Sequence, residues 1–291
     1  MAESGTDRFF LCFGFPKSGT TFLQRMLDMH PDVSCPSEQS FVTLTGFVEH
    51  GARIYNDALR TIDRRTGGQG TVLWGKATSD QVFAAIVRTL AKDFSRGKLI
   101  FGLNDNDVVN RPKYYDEVLG RPKMIAIFRN PVDQALSAWR HNSRLAKEEP
   151  QMAAAHLRLL NNPQGTVEGY VLKVAQQFPA SVDRYLGYAG GRANFLTLLY
   201  EELVANKKAE LRRLFAFLGA DNSDAIHDRI VAESSREQMA SKSAKPQFFG
   251  LDHDQRKETT VSREIREKAL GTAARGLTRL GYDLSALMSD R

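Results

Sequence analysis

Residues 9–23 read FFLCFGFPKSGTTFL. The apolar run 9–13, ended by Gly14, suits a strand buried on both faces of a parallel sheet. A turn over 14–21 follows. Phe22, Leu23, Met26 and Leu27 then share one face of a helix that stops at His30-Pro31. Strand, glycine-containing turn and helix form an anion site, because backbone N–H groups converge at the helix start and its dipole favours negative charge. A Walker-type loop reads GxxxxGK[ST], with the lysine directly after the second glycine. Here Gly14 and Gly19 keep that spacing, but Thr20 takes the lysine position and Lys17 lies inside the loop. Lys17 therefore points to a group that bridges a 5′ phosphate and its substituent.

A second stretch, 123–140, reads KMIAIFRNPVDQALSAWR. Residues 124–128 suit another buried strand, and Arg129 leaves its end. Asn130 is a good N-cap, Pro131 fits the first helical position, and Asp133 adds an acid to the first turn. Arg129 and Ser137 lie eight residues apart, on a strand end and on a helix. An arginine fork and a hydroxyl in that arrangement suit a compact dianion.

The loop PKSGTT followed by an aromatic, and the pattern RNP-x-D-x-x-x-S over 129–137, resemble the two phosphate motifs of the sulfotransferase family. That family moves a sulfuryl group from 3′-phosphoadenosine 5′-phosphosulfate (PAPS) to a hydroxyl or amine. The resemblance spans about residues 8–285. It implies that Pro16, Lys17, Ser18, Gly19, Thr20 and Thr21 hold the 5′ side of the donor and that Lys17 stabilises charge on the bridging oxygen. It implies Arg129 and Ser137 for the 3′ phosphate. Tyr200, in the stretch LLYEELV at 198–204, matches the tyrosine near the adenine, and 280–284, LGYDL, matches the closing helix exit. A late basic loop covers the nucleotide in the family. Here Arg256-Lys257-Glu258 stands where Arg-Lys-Gly is usual, and Arg256 and Lys257 are its candidates.

The acceptor side is read the same way. The middle strand of cytosolic relatives ends in a histidine, and 99–105, LIFGLND, has none. Residues 30–38, HPDVSCPSE, resemble instead the carbohydrate and tyrosylprotein branch, which uses a glutamate. Glu38 is then the candidate base, with Asp105 and Asp107 in reserve. Lys76, in WGKAT at 74–78, resembles a lysine that lines the acceptor side in that branch. His50, His141, His156, His227 and His253 show no partner spacing and read as surface or packing residues.

The 291 residues carry 40 Lys and Arg against 34 Asp and Glu, a net charge of +6. The excess is spread along the chain without a nucleic-acid motif, so a basic nucleotide cleft explains it better than a polynucleotide partner. Cys12 and Cys35 make no disulfide framework and lack metal-ligand spacing. No run reaches membrane-spanning length, and the chain reads as soluble and cytoplasmic. Strands are expected at 8–14, 71–74, 98–103, 123–128 and 194–200. Helices are expected at 20–29, 40–61, 79–94, 131–147, 151–161, 167–188 with an interruption at Pro179, 201–218, 223–233 and 262–280. This alternation predicts one α/β domain over 1–291, a P-loop-like parallel sheet with helices on both faces. The resulting expectation is a PAPS-dependent sulfotransferase that uses no metal and acts on a small-molecule or carbohydrate acceptor. A P-loop small-molecule kinase and a non-catalytic nucleotide-binding module are the alternatives. The acceptor and the oligomeric state are not readable.

Overall fold

The computed structural model describes residues 8–36, 38–68, 70–160, 165–241 and 260–289. Five parallel strands, β1 (Phe9–Gly14), β2 (Val33–Ser34), β3 (Ile100–Asn104), β4 (Lys123–Phe128) and β5 (Phe195–Leu199), form one sheet in the order β2-β3-β1-β4-β5. In register, Cys12 faces Asn104 on one side and Ile125 on the other, and Met124 faces Phe195.

Every residue of β1 is buried, because both faces of the sheet are covered. Side chains alternate between the faces. Phe9, Leu11 and Phe13 join one core cluster with Met124, Ala126 and Phe128. Phe10 and Cys12 join the other with Ile125, Ile127 and Leu198. The first face carries α2 (Phe41–Thr66), α3 (Lys76–Asp93), α4 (Pro112–Val118), α5 (Pro131–Glu148), α7 (Val167–Ala189), α12 (Arg263–Leu280) and α13 (Leu284–Ser289). The short α6 (Ala153–Arg158) adjoins α5. The second face carries α1 (Thr20–Asp28), α8 (Tyr200–Ala205), α9 (Lys207–Leu218), α10 (Asp224–Glu233) and α11 (Arg236–Ser241).

The chain leaves β1 toward β2 and leaves β4 toward β5, in opposite directions across the sheet. The crevice between the carboxyl ends of two such strands is where open α/β sheets bind ligands. The loops after β1 and β4 both open there.

Several expected elements differ. Residues 71–74 form no strand. Val72 is 89% exposed, and Trp74 is held by a reciprocal pair of hydrogen bonds with Asn56 of α2 instead of a sheet edge. The two-residue β2, the 3-10 turn Asn106–Asn110 and α4 were not expected. The helix expected over 201–218 is two, α8 and α9, separated at Asn206. Proline 179 does not divide α7. The apolar face formed by Val171, Ala175, Phe178, Val182 and Tyr185 keeps both halves on the core despite the missing N–H.

His30 ends α1 as expected, and it also pins the second face. Its Nδ1 accepts the Asp32 N–H at 3.0 Å, so Nε2 donates to the Asp221 carbonyl at 2.8 Å. Cys12 and Cys35 are buried thiols. Among the described residues, no helix is long and apolar enough to cross a membrane.

Two glycines of α12 separate packing from helix propensity. A Cβ on Gly276 would stand 3.0 Å from both the Phe178 ring and the Pro179 Cα, whereas one on Gly271 meets nothing within 4 Å. Gly276→Val is expected to lose about 1–3 kcal/mol by overpacking. Gly271→Ala, on an exposed turn of the same helix, should gain about 0.5–1 kcal/mol. Urea unfolding of both variants checks the pair, and equal effects would contradict the close approach of α7 and α12.

Candidate functional site

The loop after β1 folds tightly. Ser18 N–H bonds the Phe15 carbonyl at 3.0 Å, and Lys17 adopts a positive φ of 69°, uncommon for a residue with a side chain. Gly19 caps α1 with φ 103°. A turn that mixes right- and left-handed residues in this way can aim its remaining N–H groups at an anion. Gly14 is needed for another reason. A Cβ there would stand 2.4 Å from the Ile127 carbonyl oxygen and 2.4 Å from Ser18 Oγ.

Tyr200, the first residue of α8, lies against this loop. A Cβ on Gly19 would stand 2.3 Å from the Tyr200 ring. The Arg129 guanidinium sits 4.5 Å above the same ring, and Phe22 meets it edge-on. Tyr200 therefore joins the two loops that the sequence treats as separate motifs. An Arg over an aromatic face keeps its charge while shedding water.

Arg129 follows β4. Its NH1 reaches the Lys17 carbonyl only at 3.5 Å, and its buried Nε has no hydrogen-bond partner among the described residues. Ser18 Oγ is buried in the same condition. Buried polar groups normally find partners. Arg129 lines a cleft of about 1090 Å³ together with Pro16, Lys17, Gly19, Thr20, Thr21, Ser137 and Tyr200 among others. A phosphate-bearing ligand fits that donor set.

The turn that aims Arg129 is braced. Asn130 caps α5 by accepting the Asp133 N–H at 2.9 Å. Its own N–H and Nδ2 both donate to Glu201 Oε1, at 3.1 and 2.8 Å, and Tyr282 Oη donates to Glu201 Oε2 at 2.7 Å. Asp133 pairs with Arg266 at 3.1 Å. Burial opposes the Asp133 charge, but the Asn130 bond and the Arg266 and Arg129 charges outweigh it and hold its carboxyl below the ordinary value. Glu201, Tyr282 and Arg266 were not candidates in the sequence. Glu201 and Tyr282 do lie in the stretches LLYEELV and LGYDL, whose juxtaposition was the missing signal.

Lys17 is the electrostatic centre of the cleft. Burial above all, with the nearby charge of Arg144, brings its ammonium down to about 8; Glu38 opposes this and Arg129 adds to it. Glu38 lies on the cleft wall, paired through a backbone bridge with Asn104, and its Oε1 accepts from Asn106 Nδ2 at 2.5 Å. Partial burial raises its carboxyl, while Lys17 and Asn106 act in the other direction.

The remaining candidates separate. Asp105 is buried and accepts the Phe41 and Asp107 N–H groups at 2.6 and 2.7 Å, so it caps α2 and the 3-10 turn; burial lifts its carboxyl to about 6 against those bonds. Asp107 bonds Tyr115 Oη at 2.6 Å and Arg111 at 2.8 Å. Neither aspartate lines the cleft. Lys76 also lies away from it, at the start of α3, mostly exposed and paired with Asp80 at 2.9 Å. Arg256 and Lys257 lie outside the described residues. His141 and His156, read as surface or packing residues, line the cleft. Among the described residues, no three His, Cys, Asp or Glu side chains gather as a metal site would require.

The family model described as "Sulfotransferase family" matches residues 10–224. In structure the chain is similar to mouse sulfotransferase SULT7A1 complexed with PAP (18% identity, 97% of this chain and 87% of that one, TM-score 0.51). It is also similar to the sulfotransferase domain from the curacin biosynthetic pathway (16%, 94% and 97%, TM-score 0.50). Retinol dehydratase in complex with androsterone and the inactive cofactor PAP is comparable (14%, 95% and 82%, TM-score 0.50). At these identities the likeness establishes the fold. A comparison with curated proteins gave no match.

The brace behind Arg129 has a measurable weight. Tyr282→Phe removes one hydrogen bond to the Glu201 carboxylate and should cost about 1.5–3 kcal/mol, the range for a bond to a charged group. Denaturant unfolding checks this. A loss under about 0.5 kcal/mol, the ordinary scatter of surface substitutions, would mean that the bond contributes nothing to the turn.

Proposed function

Because the chain belongs to the sulfotransferase family, we propose that it moves the sulfuryl group of PAPS to a hydroxyl on a small-molecule or carbohydrate acceptor. The observation that carries this reading is the convergence of the loops after β1 and β4 on one cleft, with Lys17, Thr20, Thr21, Arg129 and Ser137 on its wall. The loop amides of 19–21, with Ser18, Thr20 and Thr21, would hold the 5′ phosphate of the nucleotide, and Arg129 and Ser137 its 3′ phosphate. Tyr200 would form a wall beside the base. When bound, PAPS supplies the sulfuryl group and a bisphosphate leaving group.

Lys17 would keep a positive charge at the bridging oxygen, where negative charge grows as the sulfur–oxygen bond breaks. Glu38 would accept the proton of the acceptor hydroxyl. Its raised carboxyl supports that role, since a base with an elevated pKa takes a proton more readily. The structural occupation of Asp105 and Asp107 further supports Glu38. The choice between a carbohydrate-type and another branch rests on Glu38 alone.

Adenosine 3′,5′-bisphosphate (PAP) should bind without added metal, and Arg129→Ala should weaken it by about 1.5–3 kcal/mol. Isothermal titration, with ATP and Mg²⁺ as the contrasting ligand, checks both. Unchanged PAP affinity in the variant would remove the 3′-phosphate role.

The pH profile of kcat/KM should be bell-shaped. It should rise as Glu38 loses its proton, above the ordinary carboxylate range, and fall near pH 8 as Lys17 loses its own. Lys17→Arg stays charged, so any activity it keeps should lack the alkaline fall. Glu38→Gln should bind PAP normally yet turn over about 100- to 10,000-fold more slowly. A fully active Glu38→Gln, beside an inactive Asp105→Asn, would move the base to the β3 end.

A further inference from the structure

The stretch 104–106 joins three parts of the cleft. The Asp105 N–H donates to the Cys12 carbonyl at 3.1 Å, on the strand that leads to Lys17. The Gln39 N–H donates to the Asn104 carbonyl at 2.7 Å, beside the bridge between Asn104 and Glu38. The Asp105 carboxylate receives the Phe41 N–H of α2 and the Asp107 N–H of the 3-10 turn, and Val108 and Val109 anchor that turn in the core. Asn106 is the first residue of the turn and lines the cleft with Glu38. Backbone bonds thus fix these two residues relative to each other before their side chains meet.

Asn106 Nδ2 donates to Glu38 Oε1 at 2.5 Å. The same amide leaves its Oδ1 buried, with no hydrogen-bond partner among the described residues. Buried polar groups normally find partners, so an amide with an unmet oxygen is held in place by the carboxylate it serves. Turning the amide over would set Oδ1 against the Glu38 oxygen, two acceptors face to face. A donor to the charged form favours that form. Asn106 acts on Glu38 in that direction, together with Lys17 and against burial. Among the described residues no hydrogen bond is made to Glu38 Oε2.

We propose that Asn106 is the positioning residue of the base: it holds Oε1 of the Glu38 carboxylate and leaves Oε2 to the acceptor hydroxyl. This deepens the sulfotransferase reading above and rests on it. Oε2 takes the hydroxyl proton as the acceptor oxygen bonds sulfur, and the electron pair of the broken sulfur–oxygen bond stays with the bisphosphate. A base oriented by a third group is the arrangement that activates a nucleophile. Asparagine suits the place because its amide supplies a donor without a second charge beside Lys17.

The test follows Glu38 directly. Protein labelled with carbon-13 at its glutamate carboxyls is titrated by NMR with PAP bound, and the Glu38 signal is identified by its loss in Glu38→Gln. Asn106→Leu keeps the volume of the side chain without its donor, and Asn106→Ala takes its place if the leucine variant does not fold. The Glu38 midpoint should rise by about one pH unit in the variant, the scale of one hydrogen bond to a charge. Asn106→Ser keeps a donor and should show a smaller rise. With PAPS and 2-naphthol, the acid limb of kcat/KM should move up with that midpoint. Above it, kcat should fall about 10- to 100-fold, the scale of a small misplacement, with PAP affinity unchanged. In a Glu38→Gln background, Asn106→Leu should cost no further activity. An unmoved Glu38 midpoint overturns the positioning role, and the NMR arm decides this without any acceptor. So does a full further loss in the Glu38→Gln background, or a loss of PAP affinity as large as the loss in kcat, because Asn106 would then act without Glu38. Two controls stand apart. No PAP binding by the wild type overturns the sulfotransferase reading, and full activity of Glu38→Gln overturns Glu38 as the base. An unmoved midpoint with both controls intact overturns only the role of Asn106.

Discussion

The carboxylate of Glu201 is the contact on which the cleft geometry depends. One oxygen receives the backbone and side-chain N–H groups of Asn130, and the other receives Tyr282. Asn130 starts α5 and immediately follows Arg129, so the arginine is aimed by this bond set. Tyr200, one residue before Glu201, presses on Gly19. A single turn at the start of α8 thus fixes both anion loops from behind. Hydrogen bonds to a charge contribute about 1.5–3 kcal/mol each, a large share of the 5–15 kcal/mol by which a domain is stable. The same turn that stabilises the fold therefore sets the tolerance of the site.

Topology explains why two loops some 110 residues apart in sequence meet at all. β1 and β4 are neighbours in the sheet, and the chain departs from them in opposite directions. Neither loop covers the other, and the crevice between them stays open. The low position of the Lys17 ammonium, about 8, follows from the same crowding. Burial and two guanidinium groups press on one amine, and Glu38 opposes them. The cleft thus holds its central cation nearer to losing its proton than a free lysine, and an anion placed beside it would oppose that shift.

Much of this was legible in local pattern. The buried strands β1 and β4 stand out because two-sided burial leaves no polar position, and the loop after each carries its own chemistry. The 71–74 run misled because an apolar segment signals burial, yet Val72 is exposed and Trp74 is fastened to α2 by Asn56. β2 is too short to show a pattern. The role of Glu201 depends on Tyr282, 81 residues away, a pairing no local spacing reveals. The demand for glycine at 19 was visible as a loop signature, but its cause, the Tyr200 ring, was not. Lys76 had only a loose local resemblance, WGKAT, and no reason in its own surroundings to reach the cleft, and it pairs with Asp80.

The positive φ of Lys17 carries a consequence for how such a chain changes over generations. A left-handed backbone at a residue with a Cβ costs on the order of 1 kcal/mol, and glycine there would relieve it. Selection for heat resistance alone would therefore drift position 17 toward glycine, and each step of that drift would remove the ammonium from the cleft. Keeping lysine in this conformation therefore trades backbone strain for a cation on the cleft wall.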